Sequence, residues 1–152
     1  MYIRFAQNTA LKQVERPPSR PTPNRARPQL KDYFATAMGS GYLATASLDG
    51  TVNLALYDRP LVLDDELVVF AMKQRLTREN LRENPNAVYA FHEPGQRRGI
   101  RLYLEKVREE SNPAMLEKFR RRSDWLSDAK EADDLNTLVF FRVTNSLPLV
   151  IR

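Results

Sequence analysis

The apolar positions of the chain fall into short runs whose length and alternation indicate β-strands. Residues 42–47 and 51–57 flank Asp49-Gly50, a dipeptide typical of a tight hairpin between antiparallel strands. Strands are also predicted at residues 67–72, 87–91, 100–107, 137–143 and 147–151, and the first of these is apolar enough for burial on both faces. Because closing a sheet removes its unpaired edges, we predict a mainly β fold, a closed or split barrel of about six strands with peripheral helices.

Two stretches flanking the strands have helical spacing instead. Residues 30–38 carry apolar side chains on one face, and glycines 39 and 41 are expected to end this helix with positive φ angles. Asn112-Pro113 predicts the N-cap and first turn of a second helix, which ends near residues 120–122, and Trp125 continues it after a break.

Between the strands at 67–72 and 87–91, residues 74–85 read as a turn that runs into a short helix. Thr77 is expected to be its N-cap and Asn80 to complete a capping box, while Leu76 and Leu81 occupy the positions of a hydrophobic staple. Asn84-Pro85 ends the helix after two turns.

The beginning of this helix is also a candidate phosphate site. A helix N-terminus offers free backbone N–H groups and partial positive charge, and here Arg75, Arg78 and the Thr77 hydroxyl stand beside it. The alternative is that the segment is only a well-capped helical turn.

The N-terminal part of the chain differs from the rest in composition. Five prolines fall between residues 17 and 28, so residues 1–29 are predicted to be a Pro-rich basic arm and residues 30–152 the single domain. Residues 1–31 carry a net charge of +6 within a total of +5, which leaves the body nearly neutral. Such an arm can attract nucleic acid, stay solvated or lie across a partner subunit.

Several kinds of chemistry are excluded by composition. The chain has no cysteine, which rules out disulfides, thiolate metal sites and cysteine nucleophiles. The single histidine, His92, cannot build a multi-histidine metal centre, and no paired acids carry an acid/base signature. No apolar run approaches a membrane span or a signal-peptide core, so we expect a soluble cytoplasmic protein without membrane contact.

The order and spacing of these sequence segments resemble those of a known protein family. Residues 41–50, the strand after them and Arg75-x-Thr77-x-x-Asn80-Leu81-x-x-Asn84-Pro85 together resemble the pyridoxamine phosphate oxidase-like family of FMN-binding split barrels. The likeness spans residues 31–110, with a matching end at 137–151. It implies a six-stranded split barrel, usually a homodimer, with FMN in each groove between the subunits. Within this family a deazaflavin or haem is the alternative ligand.

The resemblance also implies which residues hold the cofactor. The strand after the hairpin would line the isoalloxazine ring through its backbone, at Leu54, Ala55, Leu56 and Tyr57. The turn and short helix would contact the phosphate, at Arg75, Leu76, Thr77 and Asn80. Many relatives have a lysine where this chain has Leu76, so Arg75 is expected to supply the charge.

Together these observations predict an FMN-dependent oxidoreductase or electron carrier that acts on a small molecule or a redox protein. No catalytic side chain is assigned, because the flavin carries the redox chemistry. Pyridoxamine phosphate oxidation itself is not expected, since the namesake enzyme's C-terminal arginine and histidine extension has no counterpart here. The alternative is a non-enzymatic barrel that binds nucleic acid or a protein partner through its arm.

Overall fold

The computed structural model describes residues 29–95, 97–122 and 134–149. Its helices are α1 (Leu30–Thr36), α2 (Leu76–Glu83) and α3 (Pro113–Arg122). Its strands are β1 (Ser40–Ala46), β2 (Val52–Tyr57), β3 (Leu61–Asp64), β4 (Leu67–Met72), β5 (Asn86–Glu93), β6 (Arg98–Glu110) and β7 (Thr137–Pro148). The expectations for the arm up to residue 28, for Trp125 and for residues 150–151 fall outside the described residues.

The strands form one antiparallel sheet in the order β2-β1-β5-β6-β7-β4-β3, so β2 and β3 are its edges. The two longest strands, β6 and β7, pair with register shifts between Tyr103 and Leu104 and between Lys106 and Arg108. Irregularities of this kind bend a long ribbon and increase its twist. The fold is mainly β, as expected, and has the coiled sheet of a split barrel.

The sheet has seven strands rather than six, and it differs from the prediction in one missed strand and one predicted break. β3 was not predicted. It has only four residues and ends in an acidic turn, so it is too short to show the alternation of apolar and polar residues that indicates a strand. Residues 137–148 form one strand instead of two, since β7 stays paired with β6 through Asn145 and Ser146. Backbone pairing at that distance in sequence overrides the local turn signal of polar residues.

Two apolar clusters hold the sheet together. The larger lies inside the barrel, where the rings of Phe70 and Tyr89 are 4.9 Å apart and those of Phe70 and Phe141 are 5.8 Å apart. The smaller lies on the other face of β4 and β7, where Leu116 and Phe119 of α3 pack on them. β4 is therefore buried on both faces, as its continuous apolar sequence predicted.

Glycines act at two different kinds of position. Gly50 has φ = 86° and forms the turn of the predicted β1–β2 hairpin, whose strands are paired as expected. Gly39 and Gly41 do not have positive φ, which corrects the prediction that they end α1 in that way. Gly41 is instead needed for space, because a Cβ there would overlap the Tyr89 side chain.

Candidate functional site

A cavity of about 230 Å³ opens where β2, the end of β4, the start of α2 and α3 meet. Its walls combine apolar side chains with a small polar group at one end. The lining residues are Ala55, Leu56, Tyr57, Asp58, Phe70, Ala71, Lys73, Arg75, Thr77, Phe119 and Leu135. The turn that the sequence singled out and the strand after the hairpin therefore line the same cavity.

The polar end consists of two cations and a hydroxyl, and Asp58 is the acidic residue of the lining. Lys73 follows β4, Arg75 precedes α2, and Thr77 lies in the first turn of that helix. The Arg75 side chain makes no capping bond, and the first intrahelical amides to bond its carbonyl are those of Arg78 and Glu79. The earlier amides of the turn are therefore available to an anion, and the two cations reinforce the partial positive charge there.

The apolar wall on the side of α3 is formed by Phe119 of that helix and by Leu135, two residues before β7. Two arginines of α3 fix this wall in place. Arg120 Nη2 donates to the Leu135 carbonyl at 3.3 Å, and Arg122 Nη2 donates to the carbonyl of Arg59 in the β2–β3 loop at 2.9 Å. Since hydrogen bonds from charged donors are stronger than neutral ones, they hold α3 across the cavity.

Tyr57 lies at the junction of the polar and apolar parts. Its ring packs edge-on against Phe70 at a centroid distance of 6.0 Å. Burial raises the pKa of the Tyr57 hydroxyl, and a hydrogen bond with the Thr77 side chain opposes that shift only in part. The phenol is therefore neutral at physiological pH and can donate or accept a hydrogen bond at the cavity.

Two amide–hydroxyl pairs attach α2 to the β1–β2 hairpin. Asn53 Nδ2 donates to Thr77 Oγ1 at 3.0 Å, and Asn80 Nδ2 donates to Thr45 Oγ1 at 3.1 Å. Thr45 and Asn53 are opposite each other in the β1–β2 register, so the two pairs are adjacent. Thr45, Thr77 and Asn80 are all buried, which makes these bonds costly to leave unmade.

The predicted site residues separate into two groups in the structure. Ala55, Leu56, Tyr57, Arg75 and Thr77 line the cavity. The others lie elsewhere: the Leu54 and Leu76 side chains are exposed, and Asn80 bonds to Thr45 beneath α2. Their expected contacts with a cofactor stay predictions.

The predicted cap of α2 was wrong in its details. The N-cap is Arg75 rather than Thr77, and Thr77 and Asn80 bond to the hairpin instead of to each other across the first turn. Leu76 is exposed while Leu81 is buried, so they form no staple. Long-range hydroxyl–amide bonds took the place of the local ones because these side chains face the sheet.

Arg78 also differs from its expected place in the phosphate cradle. Its guanidinium donates to Glu109 Oε2 on β6 at 3.1 Å and to Gln74 Oε1 at 2.6 Å. Lys106 Nζ lies 3.4 Å from the other Glu109 oxygen. Arg78 thus anchors α2 to β6 and does not line the cavity.

Sequence reasoning missed Lys73, Asp58 and the α3 wall. Lys73 had a readable signal, since it is a cation directly after the buried strand and one residue before the predicted turn. Phe119 and Leu135 had none, because only the tertiary fold brings them to β2. Within the described ranges no three His, Asp or Glu side chains converge to hold a metal ion. No helix there has the length and apolar character to cross a membrane.

Comparison with known proteins places this geometry in a defined fold. No protein-family model matches the chain, and neither does any curated protein sequence. An FMN-binding protein from Syntrophomonas wolfei superposes with a TM-score of 0.65 at 18% identity, covering 82% of this chain and 86% of that one. An F420 reductase gives 0.60 at 21% identity, covering 73% and 90%. A Lactobacillus delbrueckii protein provisionally classed as a pyridoxamine 5'-phosphate oxidase gives 0.58 at 14% identity, covering 83% and 95%.

The chain therefore has the split-barrel fold of the pyridoxamine phosphate oxidase-like proteins, which confirms the resemblance seen in its sequence at the level of the fold. Identities of 14–21% carry no cofactor or reaction across by themselves.

Proposed function

We propose that the protein binds FMN in this cavity and acts as a flavin-dependent oxidoreductase or electron carrier. The observation that carries the proposal is that two cations, a hydroxyl and a helix N-terminus meet at one end of a cavity whose other lining residues are apolar except for Asp58. Lys73, Arg75 and Thr77 would hold the phosphate, and the strand β2 would lie along the isoalloxazine ring. The FMN-binding protein with the same fold supports this assignment.

The residues present fit the two chemically different ends of FMN. A phosphate monoester needs several donors and positive charge, which the polar end supplies. The planar ring needs apolar walls, which Phe70, Ala71 and Tyr57 offer. β2 is an edge strand in the described part of the chain, so no described strand pairs with the backbone groups on its outer side, and these groups can bond the polar atoms of the ring.

The chain's contribution to such chemistry is binding and orientation. A bound flavin supplies the hydride or electron transfer. Lys73, Arg75 and Thr77 fix one end of the ligand, the edge of β2 fixes the ring, and α3 excludes water from one side through Phe119. No side chain is required as a general acid or base, which leaves the substrate, a small molecule or a redox protein, to be identified by experiment.

We further propose that the working form is a homodimer, with the second copy covering the outer face of β1 and β2. Apolar side chains alternate along that face. They are Tyr42, Val52, Leu54 and Leu56, and each is exposed although strand register puts them side by side. A contiguous exposed apolar face of this kind is typical of an interface. The cavity of about 230 Å³ is also smaller than ligand pockets of roughly 300–1,000 Å³ that enclose a ligand in one chain.

Arg101 supports the same interface. Its register partners on β5 and β1, Ala90 and Tyr42, place it on this face of the sheet. Among the described residues, Arg101 Nε is the one buried side-chain nitrogen or oxygen without a hydrogen-bond partner. Because buried donors are nearly always satisfied and this nitrogen is buried within the single chain, the Arg101 side chain would have to shift for a second copy to supply the missing acceptor.

Reconstitution with FMN tests the proposal. The protein is expected to bind FMN and to show a flavin absorption spectrum, and Arg75→Ala with Thr77→Ala together should abolish tight binding. Arg82→Ala is the matched control, because Arg82 is an exposed cation of α2 that lies outside the cavity and bonds Gln74. A wild-type protein that rejects FMN but binds DNA with strong salt dependence would favour the nucleic-acid alternative instead.

Mass spectrometry of any ligand released from the purified protein identifies the cofactor. FMN is the expected mass, whereas a deazaflavin or haem would replace it as the ligand of the same cavity. A deazaflavin has the support of the F420 reductase that shares the fold. From the composition of the chain we propose that the protein is located in the cytoplasm. Cell fractionation tests this localisation.

A further inference from the structure

Asn53 does not line the cavity but hydrogen-bonds to a residue of the proposed phosphate site, and the sequence did not single it out. It lies on the edge strand β2, half-buried, and its Nδ2 donates to Thr77 Oγ1 at 3.0 Å. Thr77 is 2% exposed and lines the polar end of the cavity. The Asn53 amide therefore contacts the hydroxyl that faces the ligand, from the side of the sheet.

This contact fixes the direction of the hydroxyl proton. A threonine hydroxyl has one proton to donate and can accept at its lone pairs. Because the Asn53 amide donates to Oγ1, the proton of that hydroxyl must point elsewhere, toward Tyr57 or the cavity. Tyr57 also lines the cavity, so both directions lie at the polar end.

We propose that Asn53 is a positioning residue that makes the cavity selective for a flavin bearing a phosphate over the same flavin without one. It orients the Thr77 hydroxyl as a donor, and an anionic phosphate gains more from a donor at that place than the neutral terminal hydroxyl of riboflavin does. The inference rests on the proposed function, since it assumes that the phosphate end of FMN lies at Lys73, Arg75 and Thr77.

Asparagine is the residue that this role requires. An aspartate has nearly the same shape but can only accept hydrogen bonds when ionised, so it would draw the Thr77 proton away from the cavity. It would also place a negative charge next to the phosphate. An alanine would leave the hydroxyl free to rotate, with neither effect.

The adjacent pair provides a matched structural control. Asn80 Nδ2 and Thr45 Oγ1 join the same helix to the same hairpin at 3.1 Å, and Thr45 is not part of the cavity lining. Losing this bond should weaken the attachment of α2 without turning the Thr77 hydroxyl. Thr45→Val removes it with little change in shape.

The test compares FMN with riboflavin for wild type, Asn53→Asp, Asn53→Ala and Thr45→Val, by titration of flavin fluorescence. Thermal unfolding of each variant verifies that it is folded. We expect Asn53→Asp to weaken FMN binding by about tenfold or more and riboflavin binding by less than about threefold, because a charged hydrogen bond is worth about that much. Asn53→Ala should weaken FMN binding to an extent between those of wild type and Asn53→Asp. Thr45→Val should lower the melting temperature while the ratio of FMN affinity to riboflavin affinity stays at the wild-type value.

An unchanged ratio in Asn53→Asp, with wild type binding FMN tightly, would overturn the role of Asn53 and leave the proposed function standing. If Thr45→Val lowers the ratio of FMN to riboflavin affinity as much as Asn53→Asp does, the role of Asn53 is overturned as well, because the effect is then structural. A wild-type protein that binds neither flavin would overturn the proposed function, and the role of Asn53 with it.

Discussion

Leu76 and Thr77 are neighbours in α2 but differ sharply in exposure: Leu76 is 53% exposed and Thr77 only 2%. A lysine at position 76 would therefore extend into solvent rather than into the cavity. The positive charge at the polar end comes instead from Lys73 and Arg75, which both line it. In the proposed FMN site, Lys73 would supply the positive charge that the family resemblance places at position 76.

Replacing Lys73 should weaken phosphate binding, whereas adding a lysine at position 76 should not strengthen it. We expect Lys73→Ala to raise the Kd for FMN by about tenfold, the effect of losing one charge-assisted contact. Leu76→Lys should change that Kd by less than about threefold. Calorimetric titration with FMN measures both, and a large gain in affinity for Leu76→Lys would show that this position does reach the phosphate.

The candidate site was predictable where it is local in sequence. Arg75 and Thr77 follow a buried strand and begin a helix, a pattern that indicated either an anion site or only a well-capped helical turn. Phe119 and Leu135 reach the same cavity only because α3 packs against β4 and β7, a contact that no periodicity reports. The bond between Asn53 and Thr77 was equally invisible, since 24 residues separate its partners.

The fold was predictable to a similar extent. The hairpin at Gly50 and the apolar run of β4 were identified because each is fixed by its own residues. β3 and the continuity of β7 depend on pairing partners from distant parts of the chain, which override weak local patterns.

A charge on the outer face of β2 should prevent dimer formation if this face is the interface. Val52 is 79% exposed on that face, so Val52→Arg is not expected to disturb the barrel itself. We expect the variant to be monomeric in analytical ultracentrifugation at concentrations where wild type is dimeric, because burying an unpaired charge is costly. Leu48→Arg, on the exposed hairpin turn, is the control and should stay dimeric; a dimeric Val52→Arg would place the interface elsewhere.

The close approach of Gly41 and Tyr89 predicts a strong effect of a small substitution. A Cβ at Gly41 would overlap the Tyr89 side chain, whose hydroxyl donates to the Asp58 carbonyl at 3.2 Å beside the cavity. Gly41→Ala should therefore lower the free energy of unfolding by about 1–3 kcal/mol. Denaturant unfolding measures it, with the exposed Ser40→Ala as control; a loss no larger than that of Ser40→Ala would mean that Tyr89 moves aside freely.

The ion pairs of Glu109 predict a dependence of stability on pH. Burial by itself raises the pKa of Glu109, but its contacts with Arg78 and Lys106 outweigh burial and lower that pKa below the usual value of 4.5. The folded protein therefore binds fewer protons than the unfolded chain, so these contacts stabilise it above about pH 4.5 and are lost as the pH falls through the lowered pKa.

Glu109→Gln tests this directly. At pH 7 it should lower the free energy of unfolding by about 1 kcal/mol relative to wild type, and the difference should shrink as the pH falls below 4.5. Denaturant unfolding at several pH values gives both numbers. A difference that stays constant from pH 7 to acid would show that the charge of Glu109 contributes nothing to stability.

The central claim is that the cavity between β2, α2 and α3 holds FMN through its phosphate. Its most direct test is calorimetric titration of the wild-type protein, freed of any bound ligand, with FMN and with riboflavin. We predict one FMN bound per chain and much weaker binding of riboflavin, since only FMN engages Lys73, Arg75 and Thr77. Equal affinity for the two flavins, or no binding of either, would contradict this claim.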